Sequence, residues 1–284
     1  MEKNNHDTVP DMEKEVPGIE ENRPKIKMRK LKDFSDSKAQ KYRVLLWVGI
    51  ILGPVIWYGI TLFDKPSLFL STPHAVWAVT LQRIRDGYFF ADIWASLKRV
   101  LIGYALGMAC AIPMGFLMGW YRGFRSVTEP WLQFFRTIPP IATIPIMVVA
   151  FGVGENSKIA IIFIATFLSS SITIYQGIKE IDRTLIKAAY TFGANDGELF
   201  LYVTLPAAFP YILVAARAAL AGSFTTLIAA EMTGATIGLG ARIQIASGAA
   251  RIDIVMMGII TIGILGFIFD QLLLFVEKQL TKWK

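Results

Sequence analysis

The sequence predicts an all-α, polytopic membrane protein, and two observations support that prediction. Of its 284 residues, 54% are hydrophobic and 18% are charged, and the mean hydropathy is +0.48. A soluble domain of ordinary composition carries about 25% charged residues. The second observation is where the charges lie. They crowd into residues 1–43 and a few short loops, which leaves long uncharged runs between them.

Six of these runs predict the membrane spans. A helix rises about 1.5 Å per residue, so about 20 apolar residues cross the roughly 30 Å hydrocarbon core of a bilayer. The predicted spans are residues 44–63, 100–120, 138–153, 158–178, 211–232 and 254–276. The third run is short and contains Pro139, Pro140 and Pro145, so we expect it to be kinked or broken. Residues 44–284 are therefore predicted to form one transmembrane domain.

Residues 1–43 are predicted to form a disordered tail. Acidic residues come first, basic residues follow, and the tail contains no apolar core of the length that a signal peptide needs. Lysine and arginine just before a first span favour a cytoplasmic N-terminus. With six spans, the C-terminus is then also expected on the cytoplasmic side.

A short amphipathic helix is predicted at the outer surface between the first two spans. Thr72 can cap this helix, Pro73 suits its first turn, and Gly87 can end it. One side of the helix is apolar and comprises Val76, Trp77, Val79, Leu81 and Ile84. The helix is too short and too charged to span, so it is expected to lie on the membrane surface.

The second span contains two pairs of glycines spaced four residues apart, Gly103/Gly107 and Gly115/Gly119. Small residues allow two helices to approach closely in lipid. The pattern fits packing inside one chain as well as a face between two copies. The single cysteine, Cys110, lies in the same apolar run and is predicted to be a packing residue that forms no internal disulfide.

Catalytic machinery is missing from the sequence. No G-x-x-x-x-G-K-[ST] motif is present, so the chain has no P-loop to hold ATP phosphates. The two histidines, His6 and His74, fall in the tail and the outer loop, and no metal-ligand spacing appears. We therefore predict that the chain is not an enzyme and binds neither a metal nor another cofactor of its own.

The polar segment of residues 181–210 lies between two apolar runs. Asp182 can cap a first helix, Gly193 can end it, and Asn195 with Glu198 resembles a capping box for a second helix. Pro206 and Pro210 are expected to bound a turn before the fifth span. An apolar face of the two helices could fit a groove on a soluble partner, and its residues are Ile186, Ala189, Tyr190 and Leu199.

This segment resembles the cytoplasmic coupling loop of permease subunits of ABC importers. That loop reads E-A-A, then Gly four residues after the last Ala, then Leu-Pro about a dozen residues on. The matching positions are Ala188, Ala189, Gly193, Leu205 and Pro206, with Ala194 directly after the glycine. Lys187 stands where the family has Glu, which leaves open what contact the partner ATPase makes with this residue.

Further motifs resemble the nitrate, sulfonate, taurine and bicarbonate branch of these permeases. Ser96-Leu97-Lys98-Arg99 is similar to the S-L-x-R that begins its second span, and residues 136–158 are similar to its proline-rich third span with F-G-x-G. Glu231-Met232 followed by Gly238-Leu239-Gly240 is similar to its E-M and G-L-G pair. Asp270 and Trp283 also fit the branch.

The resemblance implies a homodimeric permease in the inner membrane. It further implies two cytoplasmic ATPase subunits, which would bind Mg-ATP, and an extracytoplasmic solute-binding protein. The branch favours a sulfonate such as taurine as the solute, with nitrate, bicarbonate or a pyrimidine precursor of thiamine as alternatives. A secondary transporter or channel, and a scaffold that transports nothing, are the other classes considered. No nucleic acid is expected as a partner.

Three charges inside the predicted spans are candidates for the pathway or gate. Arg217 and Asp270 lie at similar depth with opposite sign, which predicts an ion pair that braces the inner bundle. Arg217 could instead meet an anionic solute, or extend toward the membrane surface. Glu231 is expected to act in an outer gate or to anchor the Gly238-Leu239-Gly240 loop.

Hydroxyl side chains in the fourth and fifth spans could line a polar path. They could equally donate to their own helix backbone, as serine and threonine often do in lipid. These residues are Ser169, Ser170, Ser171, Thr173, Thr225 and Thr226.

Overall fold

The computed structural model describes residues 37–63 and 70–280, and this part of the chain contains helices and no strands. The helices are α1 (Ser37–Phe63), α2 (Pro73–Arg85), α3 (Tyr88–Trp120), α4 (Arg122–Thr137), α5 (Ile144–Phe151), α6 (Glu155–Lys179), α7 (Arg183–Thr191), α8 (Asp196–Glu198), α9 (Leu205–Met232), α10 (Leu239–Gly248) and α11 (Ile252–Leu280). A 3₁₀ turn (Pro140–Thr143) precedes α5, and a π-helical turn (Leu199–Thr204) joins α8 to α9. This confirms the predicted all-α class.

The chain divides into two compact units, residues 1–53 and 54–284. Of the first unit the structure describes the helical residues 37–53, so most of the predicted tail lies outside the described residues, as does Trp283. Helix α1 begins at Ser37, seven residues before the predicted first span. The second unit contains every other element discussed below.

The described residues contain four helical stretches that are long and apolar enough to cross a membrane. They are Tyr88–Trp120, Glu155–Lys179, Asp196–Met232 and Ile252–Leu280. A bent pair, Arg122–Thr137 with Pro140–Phe151, makes a fifth if its two arms form one span. In α1 the stretch Ile51–Leu62 counts as a shorter apolar helix. The total of six spans stays a prediction.

Helix α2 confirms the predicted amphipathic helix between the first two spans. The Thr72 hydroxyl accepts a hydrogen bond from the Ala75 backbone N–H, and Pro73 lies in the first turn. Gly87 has φ +76 and separates α2 from α3. Within the unit of residues 54–284, Val76 and Val79 are buried, whereas Trp77 is 65% exposed. Part of the predicted apolar side therefore faces outward from this chain.

The glycine pairs of α3 pack inside the chain, against α6. A Cβ added at any of these four glycines would come within 2.6 to 2.7 Å of a side chain of α6: Ile162 at Gly103, Thr166 at Gly107, Ile174 at Gly115 and Ile178 at Gly119. The two readings of the pattern are thus decided in favour of intrachain packing. Cys110 is exposed in this chain, so the prediction that it packs inside is wrong for the single subunit.

The expected break occurs at the start of the predicted third span (residues 138–153), where two adjacent prolines follow α4. Ile138 has φ −76 and ψ 120, and Pro139 has φ −57 and ψ 131, so both are extended. Proline lacks an N–H and disfavours the helical conformation in the residue before it. The two arms meet at 93°. Helix α4, which forms the first arm, and helix α10 were not predicted.

The helical core is built from α3, α6, α9 and α11. One apolar cluster joins α3, α6 and α9 through residues such as Ala111, Ile174 and Ala215, and a second reaches α10 and α11 through Leu227, Leu239 and Ile262. The two ends of this bundle carry different structural features. Residues 180–204 lie at one end, and the starts of α3 and α6 lie at the other.

Candidate functional site

An ion cluster closes the end of the bundle where α3 and α6 begin. We use this name for six side chains that converge from four helices: Asp92, Ser96, Arg99, Glu155, Glu231 and Arg242. Arg99 and Glu231 are 4% and 1% exposed. Buried charges of this kind persist when each has partners, because an isolated charge in a low-dielectric interior is costly.

Arg99 is the centre of the ion cluster. Its Nε and Nη2 atoms donate to the two carboxylate oxygens of Glu155 at 2.6 and 2.7 Å, which is a bidentate pair. Its Nη1 atom donates to Glu231 Oε1 at 2.5 Å and to the carbonyl oxygen of Ile237 at 2.7 Å. Arg99 therefore ties α6, α9 and the loop before α10 to α3.

The G-L-G loop is held to the ion cluster by its backbone. The N–H groups of Gly238, Leu239 and Gly240 donate to Asp92 Oδ1, Ser96 Oγ and Glu231 Oε2, at 3.1, 2.9 and 2.8 Å respectively. Glu231 also accepts from the Ser96 hydroxyl at 2.8 Å. The predicted loop-anchoring role of Glu231 thus has its contacts in the structure, and its role as a gate stays a prediction.

Close approach explains the two glycines of this loop. Gly238 has φ +137, and a Cβ there would lie 2.6 Å from Arg99 Nη1 and from Glu231 Oε1. A Cβ at Gly240 would lie 2.9 Å from the Glu231 Cβ. Any side chain would displace the buried charges, so the two motifs that the sequence shows as separate form one structural unit.

Three members of the ion cluster were missed in the sequence. Asp92 and Arg242 form a two-point ion pair at 2.9 and 3.2 Å, and Glu155 pairs with Arg99. Glu155 lies directly after the F-G-x-G motif, which was the one available signal. Nothing near Asp92 or Arg242 in the sequence marks them, because their partners are about 150 residues apart in the chain.

At the opposite end of the bundle, the capped segment (residues 182–198) forms two short helices. The Asp182 carboxylate accepts from the Thr184 N–H at 2.8 Å, a contact that lowers the pKa of Asp182 from its ordinary value. Asn195 and Glu198 complete the predicted capping box at 2.9 Å in both directions. Both predicted helix starts are confirmed.

Gly193 ends the first of these helices in a left-handed conformation. Its φ is +85, its N–H donates to the Tyr190 carbonyl, and the Ala194 N–H donates to the Ala189 carbonyl. This pair of bonds is the Schellman motif. The Tyr190 hydroxyl donates to Asp196 at 2.7 Å, which raises the pKa of Tyr190 and ties the two helices together.

The outward face of the capped segment differs from the predicted one. Leu199 is 2% exposed and belongs to the interior, because α8 continues directly into the π-helical turn. Phe192 is 90% exposed, and Leu185 and Tyr190 are about half exposed. Pro206 and Pro210 bound no turn. Pro206 lies in the first turn of α9, which continues from the π-helical turn, and Pro210 lies inside that helix.

The remaining positions of the coupling-loop motif lie near that face. Lys187, Ala188 and Ala189 follow one another on α7, with Lys187 exposed, and Leu205 begins α9. Lys187 forms no ion pair within the described part of the chain. Its charge therefore faces outward from this chain.

Arg217 and Asp270 form the predicted ion pair. Arg217 Nε donates to Asp270 Oδ1 at 3.1 Å, and Nη1 lies 3.5 Å from Glu277 Oε2. The pair joins α9 to α11. Arg217 does not line the cavity between the broken third span, α6 and α9, so its contacts favour bracing over solute binding.

A cavity of about 230 Å³ lies between the broken third span, α6 and α9. Its walls carry one cation and five hydroxyl groups, from Arg136, Thr143, Thr166, Ser169, Ser223 and Thr226. Thr166 and Ser223 hydrogen-bond to each other at 2.9 Å, and Thr226 donates to the Gly222 carbonyl. Of the predicted polar-path residues, Ser169 and Thr226 line this cavity, whereas Ser171, Thr173 and Thr225 donate to their own helices.

Comparison with known proteins agrees with this architecture. Residues 111–282 match the family described as binding-protein-dependent transport system inner membrane component. The chain belongs to this family. It is 49% identical over 228 residues to a probable ABC transporter permease protein of Brucella abortus, with 80% of this chain and 90% of that protein covered.

Two further relatives bear on the branch and the solute. The taurine transport system permease protein TauC of Escherichia coli is 34% identical over 238 residues, covering 82% of this chain and 86% of TauC. The riboflavin transport system permease protein RibX of Chloroflexus aurantiacus is 29% identical over 238 residues, covering 84% and 89%. The resemblance to the sulfonate and taurine branch is thereby confirmed, and the chain is a permease subunit of an ABC importer.

The fold is also similar to a solved transporter. The methionine ABC transporter MetNI, in an inward-facing conformation, aligns with a TM-score of 0.56 at 22% identity, over 70% of this chain and 96% of that chain. This likeness concerns the fold alone.

Proposed function

We propose that this permease imports a small anionic solute, a sulfonate such as taurine first, when ATP is hydrolysed by a separate ATPase that docks on the capped segment. The observation that carries the proposal is the projecting helix pair itself. It is capped at both starts, closed by a glycine, and presents Phe192 at 90% exposure. An exposed aromatic side chain on a rigid, capped helix end suits a pocket on a protein partner.

The assembly that we propose has two copies of this chain, two ATPase subunits and an extracytoplasmic solute-binding protein. Both termini and the capped segment face the cytoplasm, and the ion cluster faces outward. Closure of the ATPases on Mg-ATP would then push on the capped segment at one end, while the ion cluster holds α3, α6 and α9 together at the other. The family supports one part of this assembly, the solute-binding protein, since the name of the family states dependence on a binding protein.

Docking of the ATPase predicts a large effect at Phe192. We expect Phe192→Ala to weaken association of the ATPase with the permease about thirtyfold, which corresponds to the loss of about 2 kcal/mol from a buried aromatic anchor. Affinity would be measured with purified permease and ATPase in detergent or nanodiscs. Trp94→Ala is the matched control, because Trp94 is 69% exposed but lies near the start of α3, at the opposite end of the bundle. Equal affinity of wild type and Phe192→Ala would contradict docking at this face.

The solute is tested by growth and uptake. A strain deleted for this chain is expected to lose growth on taurine as the sole sulfur source and to keep growth on sulfate. Vesicles with the complete importer should take up taurine in a vanadate-sensitive manner. Unchanged growth and no taurine uptake would exclude taurine and direct the search to nitrate, bicarbonate and thiamine precursors. The riboflavin relative keeps aromatic solutes among the alternatives.

A further inference from the structure

The cavity between the broken third span and α6 has a cation at a depth where charges are costly. Arg136 ends the first arm of the break and lines the cavity together with Ser169 of α6. Ser169 lies fourteen residues after the start of α6 and ten before its end, so it is near the middle of that span. A charged residue at such a depth costs roughly 2.5–3.5 kcal/mol on insertion scales and commonly marks a solute or ion pathway.

Arg136 has no acidic partner in the described part of the chain. The arginines that lie near carboxylates, Arg99, Arg217, Arg242 and Arg251, all form ion pairs there, and no ion pair involves Arg136. Arg136 is exposed in this chain and lines the cavity, and it is not packed into the core. Its charge is therefore available to a ligand in a way that the charges of the ion cluster are not.

The hydroxyl of Ser169 is available as well. Thr143, Ser223 and Thr226 each donate to a carbonyl of their own segment, and Thr166 hydrogen-bonds to Ser223. Within residues 37–63 and 70–280, no hydrogen bond of the Ser169 hydroxyl is observed. A guanidinium and a free hydroxyl that line one cavity are donors from which an oxoanion can accept hydrogen bonds.

The broken backbone supports the same site. Extended backbone at membrane depth is tolerated where it lines a water-filled cavity or is buried in protein, because its polar groups find no partner in lipid. Here Ile138 and Pro140 line the cavity, and Ile138 and Pro139 are extended. Transporters commonly place solute sites at such discontinuous helices near the middle of the membrane.

We infer that the cavity between Arg136 and Ser169 is a binding site for the oxoanion group of the solute within the membrane. The inference rests on the proposed function, and it names the site and the chemical group recognised there. Arg136 would pair with the anionic oxygens and Ser169 would donate to one of them. A volume of about 230 Å³ is below the roughly 300–1,000 Å³ of drug-sized sites, so the cavity suits a small anion better than a fused-ring solute.

The test measures the charge field in the cavity without needing the identity of the solute. In a Cys110→Ser background, which removes the only cysteine of the chain, Ser169→Cys supplies a thiol in the cavity. Membranes that contain the complete importer are treated with methanethiosulfonate reagents carrying either an ethylsulfonate or an ethyltrimethylammonium group. The rate of each reaction is read from the mass of the purified permease chain.

At the Ser169→Cys thiol, we compare the reaction rate of the sulfonate reagent with that of the trimethylammonium reagent. Arg136→Gln is expected to lower this ratio about tenfold, since one unit charge at close range has an effect of that size. Arg136→Lys should restore most of the ratio, because the charge is kept. His74→Cys is the control thiol: His74 is exposed on α2, and its ratio should not respond to Arg136→Gln.

Each outcome decides the inference. A ratio at Ser169→Cys that does not change with Arg136→Gln, or a change of equal size at His74→Cys, would overturn it. Failure of both reagents to react at Ser169→Cys would overturn it too, because a solute site must admit solute-sized reagents. A tenfold fall in the ratio without taurine uptake by the wild type would uphold the anion site and reject the proposed solute.

Discussion

Replacing Glu231 with alanine is expected to lower the free energy of unfolding of the permease by about 3–5 kcal/mol. The Glu231 carboxylate accepts from Ser96, Arg99 and the Gly240 N–H, and it is 1% exposed. Without it, a buried guanidinium loses a charged partner, and the G-L-G loop loses one of its anchors. Unfolding of the purified protein in mixed micelles, followed by intrinsic fluorescence, measures the change.

A second ion pair at the same end of the bundle provides the control. Arg251 and Asp253 lie 2.7 Å apart, but Arg251 is 52% exposed at its side chain. Exposed pairs contribute about 0–1 kcal/mol, so Asp253→Asn should change the unfolding free energy by no more than that. If Glu231→Ala and Asp253→Asn had the same small effect, the ion cluster would not be a major source of stability at this end of the bundle.

Replacing Gly193 with tryptophan is expected to uncouple ATP hydrolysis from transport. Gly193 has φ +85, a conformation that costs other residues roughly 1–2 kcal/mol. The Schellman motif at this position fixes the angle between α7 and α8, and with it the direction in which Phe192 projects. We therefore expect the variant to insert in the membrane, while solute uptake by the assembled importer falls at least tenfold relative to its ATPase rate.

Asparagine is the matched replacement at this position. It adopts the left-handed conformation far more readily than tryptophan, so Gly193→Asn should keep most of the uptake. No atom lies within 4 Å of a Cβ added at Gly193, so the first atom of a new side chain there meets open space and the backbone conformation is what selects glycine. Normal uptake by Gly193→Trp would refute the assignment of residues 182–198 as the coupling segment.

The helix boundaries that were predicted well are those set by local chemistry. Thr72, Asp182 and Asn195 cap helices because their side chains reach N–H groups two or three residues away, and no distant part of the chain is needed. The break at Pro139 and Pro140 follows from the covalent structure of proline. The expected turn at Pro206 and Pro210 was wrong, because both prolines lie in α9, which continues from the π-helical turn without a break.

The face that a residue presents was harder to predict. Leu199 was expected to face a partner, yet it is buried, because the π-helical turn rotates the chain as α8 leads into α9. Cys110 was expected to pack inside and is exposed. In a membrane protein the apolar pattern of a span does not distinguish a side chain that faces lipid from one that faces another helix.

The sequence by itself determined the all-α membrane class, the position of most spans, the capped segment and the family of the permease. These follow from composition, from uncharged runs and from motifs within a few residues of one another. The tertiary structure decided that Gly103 and Gly107 pack on α6, that Ser96 and Arg99 meet Glu231, and that Arg136 and Ser169 line one cavity. The members of each of these pairs lie more than thirty positions apart in the sequence, and the packing of whole helices brings them together.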